Sequence, residues 1–266
     1  MSAALNIAAA AAPAHAPVHA PAYALAAEGL TRRFGGLVAV NGVSLSLAVG
    51  ELHGIIGPNG AGKSTLVNLL SGTLRPSAGR LLLGGRDATG WPSWRLAQGG
   101  IGRSFQRTNV LREMSVLENV RLAAQARDFG ARRWLRAVSR DPVTVEVARR
   151  ALERVGLSPQ GVAGALSHGQ LRLLEIAMAL ATGPSVLLLD EPLAGMGPEE
   201  SERLAALLRE LARDHAVLLI EHDMDVVFAV ADTLTVMVDG RVLEQGPPAR
   251  IRASAAVREA YLGHEA

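Results

Sequence analysis

The sequence contains no cysteine, and this absence excludes disulfide bonds and thiolate metal sites. It is also poor in aromatic residues, since phenylalanine, tryptophan and tyrosine together make up only 3% of the chain. No run of 18 or more strongly apolar residues occurs, so we expect that the chain does not cross a membrane by itself. The lack of thiols suits a reducing compartment.

Lysine is nearly absent as well, because Lys63 is the only lysine among 27 basic residues. The formal net charge is only +2, and acidic and basic residues are interspersed, so the composition gives no reason to expect a nucleic-acid partner. The 266 residues, 49% of them hydrophobic, are enough for the buried core of one large or two small domains.

The single lysine lies in a glycine-rich segment with the spacing G-x-x-x-x-G-K-[ST]. The segment consists of Gly57, Pro58, Asn59, Gly60, Ala61, Gly62, Lys63, Ser64 and Thr65. A predicted short strand at 51–56 precedes it and a predicted apolar-faced helix follows, and this context separates a phosphate-binding loop from a glycine-rich turn. We expect its backbone N–H groups and Lys63 to bind phosphates, Ser64 to bind Mg²⁺ and Thr65 to help hold the α-phosphate.

A second motif is an apolar stretch at 186–189 followed by two acids, Asp190 and Glu191. A strand of this kind delivers both carboxylates to the carboxyl edge of a parallel sheet, where open α/β folds bind ligands. We expect Asp190 to hold Mg²⁺ through water and Glu191 to polarise the water that attacks the γ-phosphate of ATP.

The remaining pattern predicts an α/β fold with a P-loop NTPase core and a mainly parallel sheet. Two β segments at 24–34 and 38–47 predict an N-terminal antiparallel β subdomain, and 80–83 reads as an antiparallel edge. The stretches predicted as buried parallel strands are 186–189, 216–220 and 233–238. Between about 88 and 165 the pattern is helical and rich in arginine, which indicates a helical subdomain inserted into a domain spanning 23–266.

The first 22 residues are rich in alanine and proline, and they read as a disordered tail. A secretory signal is the alternative, but the segment has no basic beginning and no strong leucine core. His15 and His19 have the spacing of a helical metal pair, yet the intervening Pro17 disfavours the shared helical face that such a pair needs.

Further motifs resemble those of the ATP-binding cassette ATPases, the nucleotide-binding subunits of ABC transporters. Residues 166–170, Leu-Ser-His-Gly-Gln, look like the signature LSGGQ of that family, and a helix running to residue 181 follows. Gln106 matches the glutamine of the Q-loop, His222 matches the switch histidine, and Phe34 stands where the family places an aromatic ring on adenine. The resemblance covers residues from about 25 to 266.

The resemblance implies a Mg²⁺-dependent ATPase that works as a head-to-tail pair. Ser167, Gly169 and Gln170 would complete the nucleotide site of a second cassette subunit, in a homodimer or a heterodimer. Glu191, His222 and Lys63 would be catalytic, while Gln106 would join Ser64 and Asp190 at the metal. The implied partners are transmembrane permease subunits and, indirectly, a solute-binding protein, which places the chain at the cytoplasmic face of the membrane as a peripheral subunit.

Two positions depart from the family pattern. His168 replaces the first glycine of the signature, a position where related sequences tolerate bulky residues. Gly197 stands in the D-loop, the segment after Glu191, where the family usually has aspartate or asparagine. This second change bears on communication between the two sites of a pair and removes no phosphate ligand.

A finer resemblance points to branched-chain amino acid uptake systems. It rests on segments 34–40, 100–106, 113–120, 174–177 and 261–263. Urea or amide uptake is the close alternative, and a poorly hydrolysing ATP-binding scaffold is a further one, which only Gly197 favours. A DNA-repair or translation ATPase would need a long coiled coil or a second cassette, and a nucleotide kinase has no use for the signature and switch histidine.

The stretch 127–140 carries five arginines around Phe129 and Trp134. It reads either as a solvated amphipathic helix with buried aromatic rings or as a contact with membrane subunits or anionic lipid.

Overall fold

The computed structural model describes residues 23–104, 109–126 and 141–262. The expected tail 1–22, Gln106 and the arginine-rich stretch 127–140 therefore lie outside the described residues. Within the described part, the chain forms a four-stranded sheet and a six-stranded sheet, with helices packed around them.

The strands are β1 (Leu25–Phe34), β2 (Leu37–Leu47), β3 (Leu52–Ile56), β4 (Ala78–Leu83), β5 (Arg86–Asp87), β6 (Ile101–Arg103), β7 (Val186–Asp190), β8 (Ala216–Ile220), β9 (Thr233–Val238) and β10 (Arg241–Gly246). The helices are α1 (Lys63–Leu70), α2 (Ser93–Gln98), α3 (Val116–Gln125), α4 (Pro142–Arg154), α5 (His168–Ala181), α6 (Pro198–Ala212), α7 (Met224–Val230), α8 (Pro248–Ala253) and α9 (Ala255–Leu262). A short 3₁₀ turn spans Ala163–Ala165.

The larger sheet has the strand order β10-β9-β3-β8-β7-β6 and is parallel except for β10. Its central strands β3, β7 and β8 are covered on both faces, so they are buried at every position and mostly apolar rather than alternating. Ile55, Leu188 and Leu218 pack with α1 and the four-stranded sheet. Leu189 and Leu219 point to the opposite face and pack with the helices of the chain's second half.

The carboxyl ends of three adjacent strands meet at one edge of this sheet. Strand β8 lies between β3 and β7, with Ile220 paired to Ile55 on one side and to Asp190 on the other. The segments that begin at Gly57, Glu191 and Glu221 therefore leave the sheet side by side. This arrangement brings residues that are far apart in sequence to one site.

Helices α3, α4 and α5 pack against one another and form a helical layer beside the core sheet. Ser115 caps α3 by accepting a hydrogen bond from the Glu118 amide at 3.1 Å, and Asp141 caps α4 by accepting from the Val143 amide at 3.2 Å. The stretch 88–165 contains α3 and α4. It also contains α2 and β6, and β6 pairs with β7 in the core sheet.

The predicted mainly parallel sheet and N-terminal antiparallel layer are confirmed. The stretch 80–83 lies in β4, which pairs antiparallel with β1 and, through Leu82 and Leu83, with the two-residue strand β5 at the end of the sheet. The three-residue β6 and the largely polar β10 were not predicted.

A methyl group at Gly54 tests how tightly the centre of the core is packed. A Cβ there would lie 2.5 Å from Leu234 Cδ2 and 2.7 Å from Val227 Cγ1. We expect Gly54→Ala to lower the free energy of unfolding by about 1–3 kcal/mol, measured by urea denaturation. The control Gly36→Ala adds its methyl to open space, so an equal loss there would contradict the packing argument.

Candidate functional site

The loop between β3 and α1 is shaped by glycines that no other residue could replace without strain. Gly60 and Gly62 have φ of 81° and 95°, in the left-handed region that favours glycine. A Cβ on Gly62 would lie 2.3 Å from the carbonyl oxygen of Ala39, and one on Gly57 would lie 2.2 Å from that of Met237. The loop therefore curls tightly against two other backbone segments, and Gly62 leaves the N-terminus of α1 without a side-chain cap.

Lys63 lies inside this curl, with only 6% of its surface exposed. Its Nζ donates to the carbonyl oxygens of Gly57 at 2.6 Å and of Pro58 at 3.0 Å. Burial lowers the pKa of Lys63, and the nearby charges of Glu191 and Asp190 partly offset that effect. Two carbonyl groups of the loop thus fix the position of the Lys63 ammonium. Ser64, the next residue, is exposed.

Asp190 ends β7 and is 97% buried, since its relative exposure is 3%. Its Oδ2 lies 3.6 Å from Nη2 of Arg103, while Oδ1 is buried with no hydrogen-bond partner. Burial raises the pKa of Asp190, and the charge of Arg103 opposes this shift. A buried carboxylate oxygen without a partner and the Ser64 hydroxyl are hard oxygen donors of the kind that Mg²⁺ prefers, so these residues fit the expected metal.

Glu191 adopts a left-handed backbone with φ of 51°, which is unusual for a residue with a side chain. Its amide donates to the Ile220 carbonyl at 2.9 Å, which ties this turn to β8. Its Oε1 lies 2.5 Å from Nε2 of His222. The Glu191 side chain is 15% exposed and that of His222 is 49% exposed, so the pair faces the open side of the sheet edge.

Glu221, beside His222, is a third acid at this edge that the sequence analysis did not identify. Its Oε1 accepts from the Leu193 amide at 2.7 Å, and its Oε2 accepts from the His222 amide at 3.3 Å. Burial raises the pKa of Glu221 to about 7. Its position directly after an apolar strand, next to a histidine, was the signal available in the sequence.

The predicted signature segment forms the N-terminus of α5, which begins at His168. Ser167 is the N-cap: its Oγ accepts from the Gln170 amide at 3.2 Å, and its own amide donates to Gln170 Oε1 at 3.0 Å. This capping box leaves Ser167 and Gln170 exposed. Gly169 packs against Glu200 of α6, whose Oε1 would lie 2.9 Å from an added Cβ.

His168 joins the signature segment to the segment after Glu191. Its Nε2 lies 3.1 Å from the carbonyl oxygen of Ala194. Three residues after Ala194, Gly197 occupies the N-cap position of α6 and supplies no side-chain cap. An aspartate or asparagine there would fill that role, so the departure at 197 removes a helix cap.

Phe34 ends β1 with 43% of its surface exposed. The guanidinium carbon of Arg32 lies 4.6 Å from the centre of its ring, a distance that indicates a cation–π contact. Nη1 of Arg32 also donates to the Arg75 carbonyl at 2.8 Å. Phe34 therefore carries a cation on its ring and remains partly open to solvent.

Arg103 is a second residue that the sequence analysis missed. Besides its approach to Asp190, its Nη1 donates to Asn68 Oδ1 at 2.8 Å and to Ser71 Oγ at 2.6 Å. It thus joins the end of α1 to the end of β7. It also lines a cleft of about 340 Å³ that lies between α2, β6, α3 and α5, beside Trp94 and Met178.

Among the residues described, no group of three or more histidine, aspartate or glutamate side chains forms a protein-only metal centre. No helix in the described ranges is long and apolar enough to cross a bilayer.

The structure brings together Lys63, Asp190, Glu191 and His222 at one sheet edge. It places Ser167 at the start of a separate helix.

Comparison with known proteins gives two family matches. Residues 40–194 match the family described as "ABC transporter", and residues 241–266 match "Branched-chain amino acid ATP-binding cassette transporter". The chain is 41% identical over 250 residues to the high-affinity branched-chain amino acid transport ATP-binding protein BraF of Pseudomonas aeruginosa, covering 90% of this chain and 97% of that one. It is also 41% identical over 249 residues to LivG of Escherichia coli, with the same coverage.

Solved structures agree with these matches. A crystal structure of an ATP-binding cassette of an ABC transporter in its ADP conformation has a TM-score of 0.82 and 34% identity, covering 91% of this chain and 99% of that one. A nucleotide-free cassette has a TM-score of 0.81 and 33% identity, covering 90% and 98%.

The raised pKa of Glu221 predicts how stability depends on pH. A carboxyl group that keeps its proton in the folded state up to about pH 7 makes folding less favourable as pH rises from its ordinary value near 4.5 through 7. We expect Glu221→Gln to remove a loss on the order of 3 kcal/mol in the free energy of unfolding over this window, measured by denaturant titration. The exposed control Glu199→Gln should leave the profile unchanged; an unchanged profile in Glu221→Gln would contradict the prediction.

Proposed function

The chain belongs to the ABC transporter family of ATP-binding subunits, and on that premise we propose that it binds and hydrolyses Mg²⁺-ATP to power uptake of branched-chain or related amino acids. The observation that carries the proposal is the convergence of Lys63, Asp190, Glu191 and His222 on one sheet edge. These residues lie at or after the carboxyl ends of β3, β7 and β8, which are neighbours in the sheet but far apart in the sequence.

The loop 57–65 binds the triphosphate. Its backbone N–H groups and the N-terminus of α1 form the anion site, and Lys63 exchanges its two loop carbonyls for phosphate oxygens. Thr65 assists at the α-phosphate. Phe34, with Arg32 on its ring, stacks on the adenine base.

Ser64, Asp190 and Gln106 would hold Mg²⁺, which would supply positive charge to the bound triphosphate. Asp190 is suited to this task because its carboxylate is buried with one oxygen free of protein hydrogen bonds. Glu191 is not needed for the metal, so its carboxylate is available to orient and polarise the attacking water. His222 holds Glu191 through Nε2 and contacts the γ-phosphate.

A second cassette subunit completes each site. Ser167, Gly169 and Gln170 lie at the exposed N-terminus of α5, where the backbone amides and the serine hydroxyl can face the γ-phosphate bound by the opposite subunit. Gly169 is buried against Glu200 of α6, so a side chain there would disturb the packing that positions this N-terminus. Two chains arranged head to tail thus enclose two ATP molecules, and hydrolysis lets them separate.

The chain works at the cytoplasmic face of the membrane as a peripheral subunit. Its permease partner docks in the cleft between α2 and α5, where Trp94 is 61% exposed beside Met178 and Ala123. An exposed tryptophan at the rim of an apolar cleft is a common anchor for a partner helix. A solute-binding protein acts through the permeases and does not touch this chain.

Branched-chain amino acids are the solute class because the BraF and LivG relatives and the C-terminal family match agree on it. Transport assays of the complete complex with leucine, valine, urea and short amides distinguish this solute from the urea and amide alternative. Uptake of urea alone would overturn the assignment.

Replacing the proposed base tests the hydrolytic mechanism. Glu191→Gln keeps the shape of the side chain but cannot accept a proton, so we expect ATP hydrolysis to fall at least about a hundredfold while ATP binding persists. The variant should accumulate as an ATP-bound dimer, measured by light scattering coupled to gel filtration. The control Glu199→Gln changes an exposed carboxylate of α6 and should hydrolyse ATP like the parent. A parent-like rate in Glu191→Gln would exclude Glu191 as the base, and a parent chain that binds ATP without hydrolysing it would favour the scaffold alternative.

The docking surface can be tested at Trp94. We expect Trp94→Ala to leave the basal ATPase rate unchanged and to reduce its stimulation by the permease pair in vesicles, because the rim of the cleft loses its largest apolar side chain. Val143→Ala, at an exposed apolar residue of α4 away from the cleft, is the control. Equal stimulation of both variants would contradict docking in this cleft.

A further inference from the structure

The turn that carries Glu191 needs support from outside its own segment. A left-handed backbone, with φ of 51° at Glu191, is disfavoured for a residue with a side chain and persists only where surrounding groups hold it. Within the segment, the Ala194 amide donates to the Glu191 carbonyl at 3.3 Å, and the Met196 amide donates to the Leu193 carbonyl at 3.1 Å. These local bonds shape the segment, but they do not fix its position relative to the core sheet.

The end of β8 supplies two bonds that do fix this position. The carbonyl oxygen of Ile220 accepts from the Glu191 amide at 2.9 Å. The side chain of the next residue, Glu221, accepts from the Leu193 amide through Oε1 at 2.7 Å. Two consecutive residues at the end of one strand therefore hold the segment at Glu191 itself and again two residues later.

The second carboxylate oxygen of Glu221 binds the other member of the exposed pair. Its Oε2 accepts from the His222 amide at 3.3 Å. The ring of His222 in turn places Nε2 at 2.5 Å from Oε1 of Glu191. One carboxylate thus binds backbone amides near both members of the Glu191–His222 pair.

The charge of Glu221 is compensated differently from that of the other deeply buried glutamate in the described ranges, Glu175. The relative exposures are 4% for Glu221 and 6% for Glu175. Glu175 accepts from Nη1 of Arg172 at 2.9 Å and from the Asn109 amide at 3.0 Å, so a guanidinium balances its charge. Both oxygens of Glu221 accept from backbone amides, and burial raises its pKa to about 7. A buried acid that lowers stability is typical of a position where function sets the residue.

We propose that Glu221 is a positioning residue that holds Glu191 and His222 in the geometry needed for ATP hydrolysis. The inference rests on the proposed function, because it takes Glu191 as the base. Glu221 acts through the two amides that it binds. Without its bond to the Leu193 amide, the left-handed turn loses one of the two bonds to the end of β8 described above, and the Glu191 carboxylate can move away from the attacking water.

The test replaces Glu221 with side chains of similar size. Methionine fills the same space without an oxygen, so Glu221→Met loses both acceptors, whereas Glu221→Gln keeps one amide oxygen for the Leu193 amide. We expect Glu221→Met to lower kcat for ATP hydrolysis at least about tenfold, because a small displacement of the base slows the reaction strongly. Glu221→Gln should stay within about threefold of the parent. KM for ATP should change by less than about twofold in both variants, because the loop 57–65 is intact.

A double-mutant cycle separates positioning from a general loss of stability. If Glu221 acts through Glu191, it has nothing to position once the base is replaced. We therefore expect Glu221→Met to change the single-turnover rate by less than about twofold in the Glu191→Gln background. Hydrogen exchange at the Leu193 amide should accelerate in Glu221→Met and remain slow in Glu221→Gln, because only glutamine still accepts from this amide.

Asp232→Ala is the matched control. Oδ2 of Asp232 accepts from the Leu52 amide at 2.8 Å, so this variant also removes a bond between a carboxylate and a backbone amide far away in the sequence. Leu52 begins β3, which places the bond at the opposite end of that strand from the loop 57–65. The control should lose stability in urea denaturation and hydrolyse ATP within about twofold of the parent. Glu221→Ala lacks the same acceptors and repeats the comparison if Glu221→Met does not fold.

Each outcome decides the inference separately from the proposed function. If Glu191→Gln alone hydrolyses ATP like the parent, the proposed base is wrong before Glu221 is considered. If Glu191→Gln is slow and Glu221→Met hydrolyses ATP like the parent, the positioning role is wrong. The inference is also overturned if glutamine loses as much as methionine, if methionine causes the same loss in the Glu191→Gln background, or if Asp232→Ala loses as much activity.

Discussion

The site depends on one buried ammonium group, that of Lys63, whose charge is stabilised by loop carbonyl groups and by acidic side chains from other parts of the fold. Lys63 is almost completely buried and donates to two carbonyl groups of its own loop. Burying a charge without partners is costly, so this arrangement is stable only while the carbonyls, and the acids at the ends of β7, lie close by. The same carbonyl contacts hold the ammonium where phosphate oxygens would bind it. A slim ammonium fits this space better than a planar guanidinium, which accounts for a lysine in a chain that otherwise uses arginine.

The parallel strands β3, β8 and β7 bring the other charged groups to the same edge of the sheet as Lys63. Because β8 lies between β3 and β7, the segment that carries His222 emerges between the loop and the acids. Glu191 and His222 are in contact, while Glu221 is turned inward to hold the Leu193 amide. The three acids at this edge thus have different environments: Asp190 is buried with one oxygen lacking a hydrogen-bond partner, Glu191 is half-buried and contacts His222, and Glu221 is buried and accepts from two backbone amides. These environments follow from where each residue lies relative to the end of its strand.

The features of the fold and of the candidate site that depend on a single stretch of sequence were predictable. The strand before Gly57, the helix after Lys63, the acids after 189 and the helix start at Ser167 follow from local pattern and spacing. The contacts of Arg103, Glu221 and Glu175 were not predictable, because each side chain reaches an element far away in the chain. Arg103 lies in a three-residue strand too short to give a pattern, and Glu175 reads as one more acid on an amphipathic helix. The two-residue β5 was not predicted, because so short a strand leaves almost no pattern in the sequence.

The tight packing of the loop at Gly57 and Gly62 has a consequence for when this loop can form during synthesis of the chain. Gly240 donates its amide to the Ala61 carbonyl at 3.0 Å and accepts from the Asn41 amide at 2.8 Å, and the Met237 carbonyl lies against Gly57. The loop 57–65 therefore lacks part of its wall until residues 237–240 have been synthesised. A nascent chain stopped before that point carries every residue of the loop but not the backbone surface that shapes it.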